Sequence, residues 1–304
     1  MPDFKPIEIS DKEWVDQLLR YSDYRGSEYC FTNLFIWDSV YESLIARFKD
    51  FVLIRSGNKG SYKYLYPAGS GDKREVLEII IADAQSNSSS LSLIGLSPEA
   101  KEELETIMPG RFEFTPYRDS FDYIYESEKL ISLSGKKLQS KRNHINFFKN
   151  TYNWSYEELT AEAIPEVAQF NTKWCKEADC NKHKTLGLEI CAVKKCLDNY
   201  PELNISGGIL RVEGEIVAYT IGERINSDTA IVHIEKALTS FRGAYPMINR
   251  EFAERIASDF LYINREDDIG DLGLRNAKES YHPHFMLEKY IGRLLLNKVS
   301  DKSY

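Results

Sequence analysis

One order of elements can be read twice along the 304 residues, and that order limits the fold more than any single motif. In the first half, Trp14, Leu18 and Leu19 recur at helical spacing, and the apolar run Phe31 to Ile45 predicts a second helix. Phe51–Arg55 and Tyr62–Tyr66 flank the Gly/Asn-rich segment 56–61, which predicts a β-hairpin. A helix pattern follows over 72–86, then the short strand Leu91–Gly95. Ser97-Pro98 next opens a helix, with Ser as N-cap and Pro at the first position. Phe112 to Tyr125 reads as one strand-like run. The second half has helices over 163–176 and 186–199, and a hairpin over 205–221 turned at Glu213-Gly214. A strand from Thr229 to Leu238, a helix over 246–258, the strand Phe260–Asn264 and a last helical turn from Asn276 complete it. Strands alternating with helices imply an α/β protein with mixed sheets covered by helices. The expected division is 1–128 and 129–304, the second part opening on a connecting helix over 130–149.

Charge narrows the function classes. Lys plus Arg is 39 and Asp plus Glu is 47, a net charge of −8, which disfavours a general nucleic-acid binder but leaves room for a local basic site. The connecting helix is such a place, with Lys136, Lys137, Lys141 and Arg142 beside Asn143. No run approaches 18 apolar residues and the N-terminus lacks a signal-peptide pattern, so a cytoplasmic protein is expected. Five cysteines with no CxxC pair predict reduced thiols. Cys175, Cys180, Cys191 and Cys196, with His183 among them, are spaced too widely for a structural zinc set, and no metal is expected.

Two segments have the chemistry of a site. Phe241-Arg242-Gly243-Ala244-Tyr245-Pro246 follows the strand ending at Leu238 and precedes a helix. Backbone N–H groups at such a turn suit a pyrophosphate; the alternative is a plain turn using the φ freedom of Gly243. Asn276 to Phe285 follows the strand Phe260–Asn264, and Tyr281 within it can protonate a leaving group. Asn264 and Glu266 follow a strand end, where α/β sheets place ligand contacts. His233 and Glu235, two apart on a strand, are expected on one face. Glu235 serves equally as an ion-pair partner, and Lys278 either neutralises a phosphate or rests on a helix surface.

The hairpin, the Thr229–Leu238 strand, the Arg242-Gly243 turn and the Asn276-x4-Tyr281 element arrive in the order of the Gcn5-related acetyltransferase (GNAT) superfamily, which the second half resembles. Asn264–Gly270, Gly273–Pro283 and the Lys136–Asn146 segment resemble more closely the soluble relatives of the phosphatidylglycerol lysyltransferase C-terminal domain. That family has two GNAT-like domains in tandem, in agreement with the repeated element order. The resemblance implies transfer of an acyl or aminoacyl group from an activated carrier to an amine or hydroxyl acceptor. It places a base at Glu235 with His233 beside it, and an acid at Tyr281. With acyl-CoA as the favoured carrier, coenzyme A would meet Leu238, Phe241, Arg242, Gly243, Ala244, Tyr245 and Asn276; Tyr245 and Met247 stand where the family has small residues. With aminoacyl-tRNA as carrier, Lys136, Lys137, Lys141, Arg142 and Asn143 would contact RNA phosphates. Asn264, Glu266 and Lys278 belong to the substrate side in either case. A non-catalytic ligand-binding protein on the same fold is the remaining reading.

Overall fold

Two mixed sheets lie on either side of one shared apolar core in the structure, a computed structural model that describes residues 1–178, 180 and 184–295. The first sheet is built from Lys5–Pro6 (β1), Leu44–Phe48 (β2), Phe51–Ser56 (β3), Lys63–Leu65 (β4), Ala68–Gly69 (β5), Ser92–Leu96 (β6) and Phe112–Pro116 (β7). The second holds Asp122–Glu126 (β8), Trp154–Glu158 (β9), Ser206–Val212 (β10), Glu215–Arg224 (β11), Thr229–Ala237 (β12), Tyr262–Asn264 (β13) and Phe285–Leu287 (β14). The chain then returns to the first sheet as Tyr290–Leu294 (β15).

The strand orders make the two sheets counterparts: β1-β2-β3-β4-β6-β15-β7, with β5 on β3, and β9-β10-β11-β12-β13-β8-β14. Each has one parallel pair, β4 with β6 and β12 with β13. Each also takes one strand from outside its own half. β8 inserts between β13 and β14, and β15 inserts between β6 and β7. Sheet membership therefore does not follow the 1–128 and 129–304 division. The run Phe112–Tyr125 splits for the same reason. Pro116 and a 3-10 turn at Arg118–Ser120 end its first part, and its second part crosses into the other sheet. Phe31 to Ile45 is not one helix either. Helix Phe31–Ile36 gives way to a short turn at Asp38–Tyr41, Glu42 takes a left-handed φ of 51°, and Leu44 and Ile45 pair with β3 instead.

Local chemistry accounts for most elements. Glu213 and Gly214 have φ of 50° and 84°, the two left-handed residues a tight hairpin needs between β10 and β11. Asp72 caps helix Lys73–Ser86 through the Arg74 and Glu75 amides. Phe31, Phe35 and Ile45 of the first half pack with Phe170, Tyr219 and Ile234 of the second in the shared core. Each sheet covers its far side with helices. Val76, Leu77 and Ile80 lie under the first sheet, and Met247, Ile248 and Phe252 under the second. Full burial of each such side chain contributes about 1.5–3 kcal/mol. Cys175 and Cys180 are disulfide-bonded, contrary to the reduced state expected; helix Ile164–Glu177 ends between them and their Cα atoms come within 5.2 Å. Among the described residues no helix is long and apolar enough to cross a membrane.

Candidate active site

Strand β12 is nine residues long, but only its first three, Thr229–Ile231, pair with β13. From Val232 to Ala237 no strand among the described residues pairs with its edge on that side, while the chain after Asn264 turns away. Side chains from both strands converge where the parallel pair parts.

On the side facing helix Ala244–Ile256, Glu235 is held from two directions. Arg265 Nη2 donates to Glu235 Oε1 at 2.9 Å, and Asn249 Nδ2 donates to Oε2 at 2.8 Å. Both holders retain an unused atom. Arg265 Nη1 and Asn249 Oδ1 are buried without a partner. The Arg265 guanidinium lies 4.8 Å from the centre of the Tyr281 ring and 5.7 Å from that of Tyr125. Lys141 Nζ lies 4.0 Å from the Tyr281 ring centre and donates to Ser280 Oγ at 2.7 Å. Burial lowers the Lys141 pKa, and the Arg265 charge lowers it further. Burial raises that of Tyr281, so its hydroxyl keeps its proton. Tyr281 makes no hydroxyl hydrogen bond to another described residue. The gap thus joins three residues singled out in the sequence, Glu235, Tyr281 and Lys141, through one that was not, Arg265. Together they offer a buried N–H donor, a phenol and an amine with a depressed pKa, which is the equipment of acyl transfer.

His233 is not on the same face as Glu235. Ile221 pairs with Ile234 and Gly222 with Val232, so His233 is the extra residue of a β-bulge. The bulge reverses the alternation. His233 turns to the shared-core side, while Glu235 turns to the opposite one. The imidazole is wholly buried, with Nδ1 2.9 Å from Glu266 Oε1 and Nε2 3.0 Å from Glu223 Oε1. Burial opposes its charge, but Cys30 and the two carboxylates outweigh it and raise the pKa well above the ordinary value. Burial pushes the Cys30 thiol up to about 11. Asn33 Nδ2 also donates to Glu266 Oε1, at 2.7 Å. His233 is thus separated from the Glu235 cluster by the sheet itself.

The turn Phe241–Pro246 is largely engaged in contacts within the fold. In the first turn of the helix the Ala244 N–H goes to the Phe241 carbonyl, the Met247 N–H goes to the Gly243 carbonyl, and Pro246 has none. The N–H groups of Arg242, Gly243 and Tyr245 have no backbone partner among the described residues. Gly243 has a φ of 93° and abuts the connecting helix so closely that a Cβ would collide with the His144 carbonyl. Phe241 packs at a tilt against Tyr152, and the Arg242 guanidinium lies 4.6 Å from the Phe147 ring centre. The Tyr245 hydroxyl accepts from Trp174 Nε1 at 3.2 Å. Leu238 packs against the shared core, and Asn276 stands exposed on helix Leu272–Glu279.

The basic cluster divides three ways. Lys136, Lys137 and Asn143 are exposed, Lys141 points into the gap, and Arg142 bonds the Leu133 and Gly135 carbonyls. Asn264 is wholly buried and structural. It donates to Asp122 and the Arg25 carbonyl and accepts from the Glu266 amide. Lys278 is buried and clamps the loop after β13 through the Arg265 and Asp267 carbonyls, with its pKa lowered by burial to about 8. His183 lies outside the described residues. Arg265 and Asn249 escaped the sequence reading. Arg265 directly follows a buried-type strand, the one local signal that marked it.

A model for the phosphatidylglycerol lysyltransferase C-terminal family matches residues 19–293. A conserved protein of unknown function from Bacteroides thetaiotaomicron is 41% identical, with a TM-score of 0.92 over 97% of this chain and 100% of that one. The structure of L-PGS from Bacillus licheniformis is 12% identical and shares the fold, with a TM-score of 0.67 over 95% of this chain and 92% of that one. An uncharacterised protein of Mycoplasmoides gallisepticum is 26% identical over 185 residues, 59% of this chain and 58% of that protein. The repeated sheets are thus a tandem GNAT-like fold, and fold and sequence together fit a transferase.

Proposed function

Because the chain belongs to the phosphatidylglycerol lysyltransferase C-terminal family, we propose that it moves an aminoacyl group from aminoacyl-tRNA to an amine or hydroxyl acceptor, in the gap between β12 and β13. The observation that carries the choice of donor is the Phe241–Pro246 turn, where Gly243 is pressed against the His144 carbonyl, the Arg242 guanidinium lies over the Phe147 ring and the Ala244 N–H is taken by the Phe241 carbonyl. A polyanionic RNA needs no cradle at that turn; exposed Lys136 and Lys137 at the start of the connecting helix suit its phosphates, while Lys141 points from that helix to the gap.

In this reading the acceptor attacks the ester carbonyl. The developing oxyanion takes the free Nη1–H of Arg265, held in place because Nη2 is committed to Glu235. Lys141, as the neutral amine, removes the acceptor proton, and Tyr281 protonates the departing ribose oxygen. A C–N or C–O bond forms, the ester C–O bond breaks, and the proton gained by Lys141 restores Tyr281.

The test is a melting-temperature titration with lysyl-tRNA and, separately, coenzyme A, at two salt concentrations. A ligand at one hundred times its Kd adds about 2.7 kcal/mol of stability. Lysyl-tRNA is expected to raise the melting temperature at low salt and lose the effect at high salt, while coenzyme A leaves it unchanged. Lys136→Gln with Lys137→Gln should flatten the dependence of log K on log salt by about 0.7–0.9 for each phosphate no longer neutralised. A shift with coenzyme A and none with tRNA would reverse the choice of donor.

A further inference from the structure

Cys30, Glu223 and His233 converge on the shared-core side of β12, outside the transfer cluster. The thiol sulfur, a carboxylate oxygen and an imidazole nitrogen lie within 4.8 Å of one another. They come from three places in the chain: the residue before helix Phe31–Ile36, the end of β11, and the bulge of β12. We propose that these three side chains bind a divalent transition-metal ion of the zinc class, with Cys30 Sγ, Glu223 and His233 Nε2 as ligands. Thiolate, imidazole and carboxylate are the donors such an ion selects.

Two neighbouring features suit a metal site. Glu266 sits 2.9 Å from Nδ1, the ring nitrogen pointing away from the proposed ion, and Asn33 holds that carboxylate in turn. A carboxylate on the far nitrogen fixes the tautomer and orientation of a metal-bound histidine. Thr32 is wholly buried with its hydroxyl beside the Glu223 carboxylate, and Asn33 Oδ1 has no hydrogen-bond partner among the described residues. The Thr32 hydroxyl is placed to orient the Glu223 carboxylate as a ligand.

The full chain, purified without chelator or histidine tag and dialysed against Zn2+, is assayed for bound metal, then stripped and titrated with Co2+. One ion per chain is expected, with a near-ultraviolet thiolate-to-Co2+ absorption band. Cys30→Ser should abolish the band, Cys191→Ser should leave it, and Glu266→Gln should weaken affinity about 10–100-fold. No retained zinc together with no cobalt band in the wild-type protein would overturn the proposal, as would a band that depends on the exposed Cys191. The wild-type titration decides the matter even where Cys30→Ser does not fold.

Discussion

β4 and β6 of the first sheet stand where β12 and β13 stand in the second, and each pair is parallel over three residues. In the first sheet β4 is no longer than the pairing. The Tyr66 amide continues the ladder to the Ile94 carbonyl, and the Tyr29 hydroxyl sits 3.2 Å and 3.1 Å from the Tyr66 and Gly95 carbonyls. The junction is stitched shut. In the second sheet β12 outruns its partner by six residues, and charged side chains fill the opening. A parallel pair becomes a reaction site when one strand is longer than the other and polar groups with spare hydrogen-bonding capacity occupy the difference.

The sharpest way to break that comparison is at Arg265. Arg265→Ala leaves the Glu235 carboxylate buried with only Asn249 as a partner, and a stability loss of about 3–5 kcal/mol is expected by urea unfolding. Replacing both residues by leucine should restore most of that stability while leaving no transfer. Arg265→Lys keeps the charge and loses the second N–H donor. A fall in transfer of about 10²–10³-fold is expected, with stability altered far less. Full transfer by the lysine variant would mean the gap is structural, like its counterpart.

The converse test is in the first sheet. Tyr29→Phe removes the hydroxyl from two buried carbonyls, at a cost of about 1–3 kcal/mol, and transfer by the folded protein should not change. A loss of transfer beyond the loss of folded protein would show that the closed junction communicates with the open one.

The features legible in the sequence were local ones. The β10–β11 hairpin follows from Glu213-Gly214, and helix Lys73–Ser86 from its apolar stripe, because each pattern is set by neighbours in sequence. The tandem order was legible for the same reason. The exchange of β8 and β15 was not, since alternation of side chains says that a strand has two faces and not which sheet it joins. Placing His233 and Glu235 together assumed an unbroken period of two, which one extra residue in β12 overturns. Glu235 and Tyr281 were visible from their positions after the hairpin and near the last helix. The residue linking them, Arg265, depends on a contact thirty positions distant.

The smallest expected effect lies in the connections that leave the two parallel pairs. After β6 the chain passes directly into helix Pro98–Ile107, capped by Ser97. After β13 it makes a loop in which Glu266 and Ile269 have φ of 58° and 45°. Asp267 in that loop has its pKa pushed up to about 7 by burial, with Asp122 and Glu266 adding to the effect of burial and Lys289 and Lys278 opposing it. The folded protein therefore holds a proton that the unfolded chain releases near pH 4, and this residue's contribution to stability falls as pH rises from about 4 to about 7. Asp267→Asn removes that dependence. The variant should match the wild type at pH 4 and exceed it by about 1–2 kcal/mol at pH 8, a modest figure because the carboxyl is partly exposed and solvent screens it. Urea unfolding at the two pH values measures the difference. Identical pH profiles would place Asp267 in open water and make the loop a plain connection, like the short one after β6.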